Sequence, residues 1–236
     1  MEIICMASSS AGNAYVIKNT KTTLLVECGL TFPTLRMRLL KNGIQRTDIS
    51  AVVITHKHGD HARCASELSE ATMIVASKET LDASGVQKNR WPLRSWESVI
   101  YETIKITAFE LDHDCDGTFG YIFQDQESNQ SILFINDTQY VKWNFKKYQF
   151  TYIMIECNHN TDMIINKTVT VRRVAKSHMS LEATKKTLAT MDLTKTRAIY
   201  LMHLSDGSSD QERMINEIRK QTGRPTYACL KDGGTT

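Results

Sequence analysis

Proline is scarce in this chain, three residues in 236, which argues against a proline-rich linker or a disordered tail. No stretch approaches 18 consecutive apolar residues, which excludes a transmembrane helix. The six cysteines (Cys5, Cys28, Cys64, Cys115, Cys157 and Cys229) include no CxxC pair, which excludes a zinc ribbon or a thioredoxin-type motif. The N-terminal MEIICMASSSAGNAY has neither a basic start nor a long apolar run, so no secretory signal is expected. The thiols are then expected to be reduced in a cytoplasmic protein with no membrane partner. An excess of charge of one sign is also missing. Twenty-nine basic against 26 acidic residues leave +3, too little to imply a nucleic-acid partner by itself.

What is present is ordinary globular composition, 41% hydrophobic and 23% charged, plus seven histidines. They are His56, His58, His61, His113, His159, His178 and His203, and histidine is both the commonest metal ligand and the usual acid or base near neutral pH. The length suits one domain over residues 1–236.

The first 30 residues read as paired strands, MEIICMA, NAYVIKN and TTLLVEC. A helix follows over PTLRMRLLKN, opened by Pro33 and closed by Gly43, with Leu35, Leu39 and Leu40 as its buried stripe. AVVIT reads as a fully buried strand, ARCASELSE as a helix and MIVAS as the next strand. Residues 86–98 read as an irregular, basic, tryptophan-bearing segment. Strands resume with VIYETIKITAFEL, GYIFQD, SILFIND, YIMIEC and AIYLMHL. SLEATKKTLATM is a helix capped by Ser180, and DQERMINEIRKQTG is the last helix, ended by Gly223. Many strands followed by alternating strands and helices predict an α+β fold with helices covering a sheet sandwich.

The most specific feature is THKHGDH at 55–61. It places three imidazoles and a carboxylate within six residues, just past a buried strand. His56 and His58, two apart, can turn to one metal, and Asp60 and His61 to a second about 3.5–4 Å away, the spacing of two-metal hydrolytic sites. Nitrogen and oxygen donors suit Zn²⁺ or Mn²⁺. The zinc-protease pattern HExxH is absent.

With this motif the chain resembles the metallo-β-lactamase-fold hydrolases, whose HxHxDH is followed by a histidine, an aspartate and a last histidine, each at a strand end. His113 in LDHDCDGTFGY, Asp137 in FINDTQY and His203 in LMHLSD match that series. The resemblance implies an αββα sandwich of two mixed sheets. It also implies two divalent ions, with His56, His58 and His113 on the first, Asp60, His61 and His203 on the second, and Asp137 bridging. Asp60 would further orient the nucleophile.

His178, in KSHMS before a helix, resembles the proton-donating histidine of the phosphodiesterase branch, with Glu156 in the place of its carboxylate partner. A carboxylate beside an imidazole raises its pKa and fixes its tautomer, which suits protonation of an alkoxide leaving group. The segments SSSAGNAY, LLVECGL, IECNHN and SHMS narrow the resemblance to the YycJ/WalJ family of bacterial and phage proteins described as DNA exonucleases. That resemblance sets Asn158 and His159 near the site, and Lys176, two residues before His178, is the basic candidate for substrate binding. The departures are Glu27-Cys28-Gly29 where Asp-Ala-Gly is usual, Asn136 and Gln139 flanking the aspartate, and Ser177 in place of a glycine.

Between Lys167 and Arg197 lie eight basic residues and two acids, Glu182 and Asp192, surrounding His178. Such a field draws a polyanion. Trp91, Trp96 and Trp143 also stand beside basic residues, the pairing used for base stacking with phosphate contact. The expected substrate is therefore DNA or RNA in an exposed groove. The alternative is a cyclic nucleotide in a closed pocket completed by a second copy in a homodimer. Hydrolysis of a lactone, thioester or β-lactam is the remaining reading, and it needs no phosphate clamp.

Overall fold

The computed structural model describes residues 1–165, 167–169, 171 and 176–236. Thirteen strands among these residues form two sheets. The first sheet is, in spatial order, β1 (Glu2–Ala7), β2 (Ala14–Lys18), β3 (Thr23–Val26), β4 (Ala51–Val53), β5 (Met73–Ser77) and β6 (Arg90–Leu93). The second runs β13 (Thr226–Ala228), β12 (Ala198–Met202), β11 (Tyr152–Glu156), β10 (Ser131–Ile135), β9 (Phe119–Asp125), β8 (Ile104–Glu110) and β7 (Ser98–Tyr101).

Each sheet is mixed, antiparallel at one side and parallel at the other. Strands β1 to β3 are antiparallel and β3 to β6 parallel. Strands β7 to β10 are antiparallel and β10 to β13 parallel.

The apolar runs are continuous because both faces of the central strands are covered. In β10, Ile132 and Phe134 face the first sheet, while Leu133 and Ile135 face the outer helices. In β3, Leu24 and Val26 point to the same inter-sheet core, and Leu25 points outward. The helix Phe32–Lys41 covers the first sheet through Leu35 and Leu39, four residues apart on one face. Burying each contributes about 1.5–3 kcal/mol. Leu40 departs from expectation. It lies five positions from Leu35, outside that face, and is 53% exposed. The helices Leu181–Ala189 and Gln211–Thr222 cover the second sheet with Leu181, Leu188, Met214 and Ile218. The result is the expected αββα layering.

Ser180 caps its helix by accepting from the Ala183 N–H, and Gly223 ends the last helix at φ +67°. Two other expectations are revised. VIYETIKITAFEL is a hairpin, β7 and β8, turning at Glu102 with φ +49°. Residues 86–98 contain the edge strand β6, where Pro92 is tolerated. All six cysteines are unpaired. Among the described residues no helix is long and apolar enough to cross a membrane.

Strands β3, β4, β8, β10, β11 and β12 all end at one edge of the two sheets. Parallel pairing sets β3 with β4 and β10 with β11 and β12, and two antiparallel steps return β8 to the direction of β10. Carboxyl ends of strands are where α/β sheets gather ligands.

Candidate active site

The loop after β4 carries His56, His58, Asp60 and His61. Its close approach to the first sheet depends on Gly29. A Cβ there would lie 1.6 Å from the Asp60 carbonyl oxygen, so no other residue fits. The Asn13 N–H donates to that carbonyl at 2.8 Å, and Cys28 N–H donates to the His61 carbonyl at 2.7 Å. The second sheet adds His113 after β8, Asp137 after β10, Glu156 at the end of β11 and His203 after β12.

The imidazoles are fixed by what their outer nitrogens bind. His61 Nδ1–H donates to Glu27 Oε1 at 3.1 Å, and His113 Nδ1–H donates to the Ser177 carbonyl at 3.2 Å. Thr55 Oγ1 donates to Glu27 Oε1 at 2.5 Å, so it accepts from His56 Nδ1–H at 2.9 Å. Each arrangement turns Nε2 inward, where it can offer a lone pair to a cation once deprotonated. His56 Nε2 and His113 Nε2 then lie 3.0 and 3.3 Å from His58 Nδ1. Donors around one tetrahedral ion at about 2.0–2.1 Å stand about 3.3 Å apart, so these three nitrogens have the spacing of a metal site.

A second group adjoins the first. Asp60 Oδ2 lies 3.3 Å from His61 Nε2 and 3.4 Å from His203 Nε2. Asp137 Oδ2 stands between the groups, 3.1 Å from His61 Nε2 and 3.7 Å from His56 Nε2. Asp137 Oδ1 is buried without a hydrogen-bond partner, an orphaned carboxylate oxygen that a cation would satisfy. The donor set therefore fits divalent metal ions. Cys115, which sequence reasoning did not single out, lies within 4.8 Å of the first three histidines.

Charge in the cluster follows from burial and pairing. Burial, helped by His61, holds His56 well below the ordinary imidazole range, and burial lowers His113 as well. Burial opposes a charge on His61, but Asp137 and Glu27 overcome it and hold that ring well above the usual range. For Asp60 and Asp137, burial likewise opposes ionisation, and the surrounding histidines overcome it.

Beside the cluster, His178 Nδ1–H donates to Glu156 Oε1 at 2.6 Å and lies 4.0 Å from Asp137 Oδ1. Glu156 is fully buried, and its other oxygen accepts from the N–H groups of Thr138 (3.0 Å) and Met179 (3.2 Å). Burial works against a charged His178, but the Glu156 carboxylate outweighs it and raises the pKa to about 9. The His178 ring stacks on His203 at 5.2 Å between centroids.

The Asn158 amide donates to the His203 carbonyl at 2.8 Å and lies 3.1 Å from His203 Nδ1, so it supports a site histidine. His159 and Lys176 line a cleft that also includes His178. Arg172 and Arg173 lie outside the described residues. In the tryptophan-bearing segment Lys88 pairs with Glu70 and Arg90 with Asp82. Trp96 packs edge-on against Trp143.

Glu27, the departure from the usual aspartate, reaches two histidines of the cluster at once, His61 directly and His56 through Thr55. Ser8 and Asn13 of SSSAGNAY were also unassigned from sequence. Ser8 Oγ accepts from the His203 N–H at 2.8 Å, and Asn13 Nδ2 lies 3.2 Å from His61 Nε2. A contact spanning 195 residues leaves no periodic signal. Glu27, Asp137 and His203 share one backbone feature, a left-handed φ of 64°, 50° and 54° at the turn just after a strand.

Residues 22–204 match the family model described as the β-lactamase superfamily domain. Exodeoxyribonuclease WalJ of Streptococcus pneumoniae is 25% identical over 90% of this chain and 86% of its own length. Exodeoxyribonuclease YycJ of Bacillus anthracis is 24% identical over 92% of this chain and 89% of its own. Among solved structures, the metallo-β-lactamase fold protein YhfI from Bacillus subtilis has a TM-score of 0.76 at 14% identity, covering 99% of this chain and 98% of that one.

Proposed function

The chain belongs to the β-lactamase superfamily and is a metal-dependent hydrolase, and from that premise we propose that it is a dinuclear phosphodiesterase acting on DNA. The carrying observation is the His178–Glu156 pair, 2.6 Å apart and beside the metal cluster. A lactone or β-lactam hydrolase has no need of such a paired acid. The two similar proteins named exodeoxyribonucleases support DNA as the polymer. Six unpaired thiols support a cytoplasmic setting.

His56, His58 and His113 would hold one ion, Asp60, His61 and His203 the other, and Asp137 both, with Zn²⁺ or Mn²⁺ matching the donors. Divalent ions bound there would lower the pKa of a water and neutralise charge on the phosphate oxygens. Asp60 lines the cleft and would orient the attacking water. His178, with Nδ1 committed to Glu156, would protonate the leaving oxygen from Nε2. Glu156 holds that ring in one orientation, and its own position is fixed by two backbone N–H groups. Asn158 would steady His203.

The test sets metal-loaded protein against linear DNA, RNA, bis-p-nitrophenyl phosphate, 2′,3′- and 3′,5′-cyclic nucleotides and a lactone. Cleavage of DNA with release of nucleotides is expected. Lactone turnover with no phosphodiester turnover would overturn the reading.

A further inference from the structure

The metal cleft, about 670 Å³, does not end at His178. A second cleft of about 480 Å³ shares Gln139, Lys176 and His178 with it. A third, about 660 Å³, shares Gln139, Ser180 and Ala183 with the second and runs along the helix Leu181–Ala189. The three form one continuous path with Gln139 on all of them.

Charge changes sign along the path. The metal cleft is lined by Asp60, Asp112, Asp114 and Asp137. The second cleft has no carboxylate among its described lining residues and carries Lys176. The third carries Lys186 and Lys142, the latter paired with Glu110 at 2.8 Å, and one acid among its described lining residues, Glu182, whose carboxylate accepts from Thr161 Oγ1. The third also carries two aromatic rings. Tyr140 is 51% exposed, and Trp143 is held edge-on by Trp96 with the Lys142 ammonium 5.4 Å from its ring centroid. His159 lines the second cleft, 4% exposed, with Nδ1 unpaired.

We propose that this path holds the leaving-side strand of a single-stranded polynucleotide, an inference that rests on the phosphodiesterase reading. The acid of the reaction marks the direction. The oxygen that His178 protonates belongs to the departing strand, so that strand lies on the His178 side of the metals, where the second and third clefts begin. Lys176 stands beside the first phosphate past the scissile bond. Tyr140 and Trp143 stack bases further along, and Lys186 pairs with a phosphate there. Stacking on aromatic faces with lysines tracking the backbone is how sequence-tolerant single-strand sites are built. A cyclic nucleotide would leave the third cleft unused.

The experiment compares kcat/KM for an eight-residue oligothymidylate with that for bis-p-nitrophenyl phosphate, which has no leaving strand. In the double variant Lys186→Glu/Tyr140→Ala, both substitutions at exposed positions, the ratio is expected to fall about tenfold through KM for the octamer. The salt dependence of that KM should also weaken. Tyr140→Phe alone, which keeps the ring, should retain the wild-type ratio. An unchanged ratio in the double variant overturns the strand path while leaving the phosphodiesterase reading intact. Failure of the wild type to cleave either substrate overturns both.

Discussion

The two sheets meet at one site but supply it differently. The first gives a single loop, four side chains within six residues, backed by Gly29, Asn13, Thr55 and Glu27. The second gives one residue from each of four strand ends, His113, Asp137, Glu156 and His203. The loop's four side chains are close in sequence, and their supports come from the first sheet itself. The strand-end residues hold their places only because β8, β10, β11 and β12 are in register. The loop therefore supplies half of each proposed metal group, and completing either one requires the second sheet.

Asp137 is the sharpest place to break that arrangement, since its Oδ2 reaches His61 at 3.1 Å and His56 at 3.7 Å, one histidine of each proposed group. Asp137→Ala is expected to lower kcat/KM on the order of 10³-fold or more and to reduce bound metal toward one ion per chain, counted by mass spectrometry of the loaded protein. Retention of two tightly bound ions would show that the loop and the remaining histidines suffice.

Next in size is His178→Ala, a change confined to the second sheet's side. Activity on DNA should fall by about 10²–10⁴-fold with metal content unchanged. The loss should be much smaller on bis-p-nitrophenyl phosphate, whose leaving group needs no proton. Equal losses on both substrates would assign His178 to structure or metal binding.

Glu156→Gln probes the same pair by pH. The His178 pKa is raised to about 9, so the acid form persists below that and is lost as pH rises through it. Cations in the adjacent cluster oppose a charged imidazole, so the loaded enzyme should lose activity at a pH below 9. Removing the carboxylate's charge should move the alkaline limb lower still, by about one unit or more. A limb that stays in place separates the pair from the observed acid.

The smallest expected effect belongs to the loop's own support. Glu27→Gln keeps the size but weakens the bonds to His61 and Thr55. Metal affinity should drop about 10–100-fold, read by competition with a chelator, while the fold stays intact. No change in affinity would mean that the loop is held by Gly29 and Asn13 without it.

The same contrast governs what the sequence could disclose. His56, His58, Asp60 and His61 were legible from spacing alone, because their geometry is local. His113, Asp137 and His203 each look like ordinary strand-end residues, and only the resemblance collected them into one site. For Asn158, nothing in IECNHN says that the amide turns toward His203. The central strands were legible because burial on both faces leaves continuous apolar runs. The edge strands β6 and β13 were missed for the opposite reason. RWPL carries a proline and TYA is three residues long, and an edge demands neither pattern nor length. The β7–β8 hairpin was read as one strand because Glu102-Thr103 lacks the glycine or asparagine that usually announces a tight turn.

The left-handed turns at Glu27, Asp137 and His203 have an evolutionary consequence. Each is a position where glycine would relieve about 1 kcal/mol of backbone strain and where glycine would remove a side chain that forms or supports the site. Selection for stability alone would erode all three. A descendant that had lost its substrate should therefore show glycine first at these three turns, with the αββα core unchanged. A survey of degenerate copies at these positions would separate working enzymes from relics without a single assay.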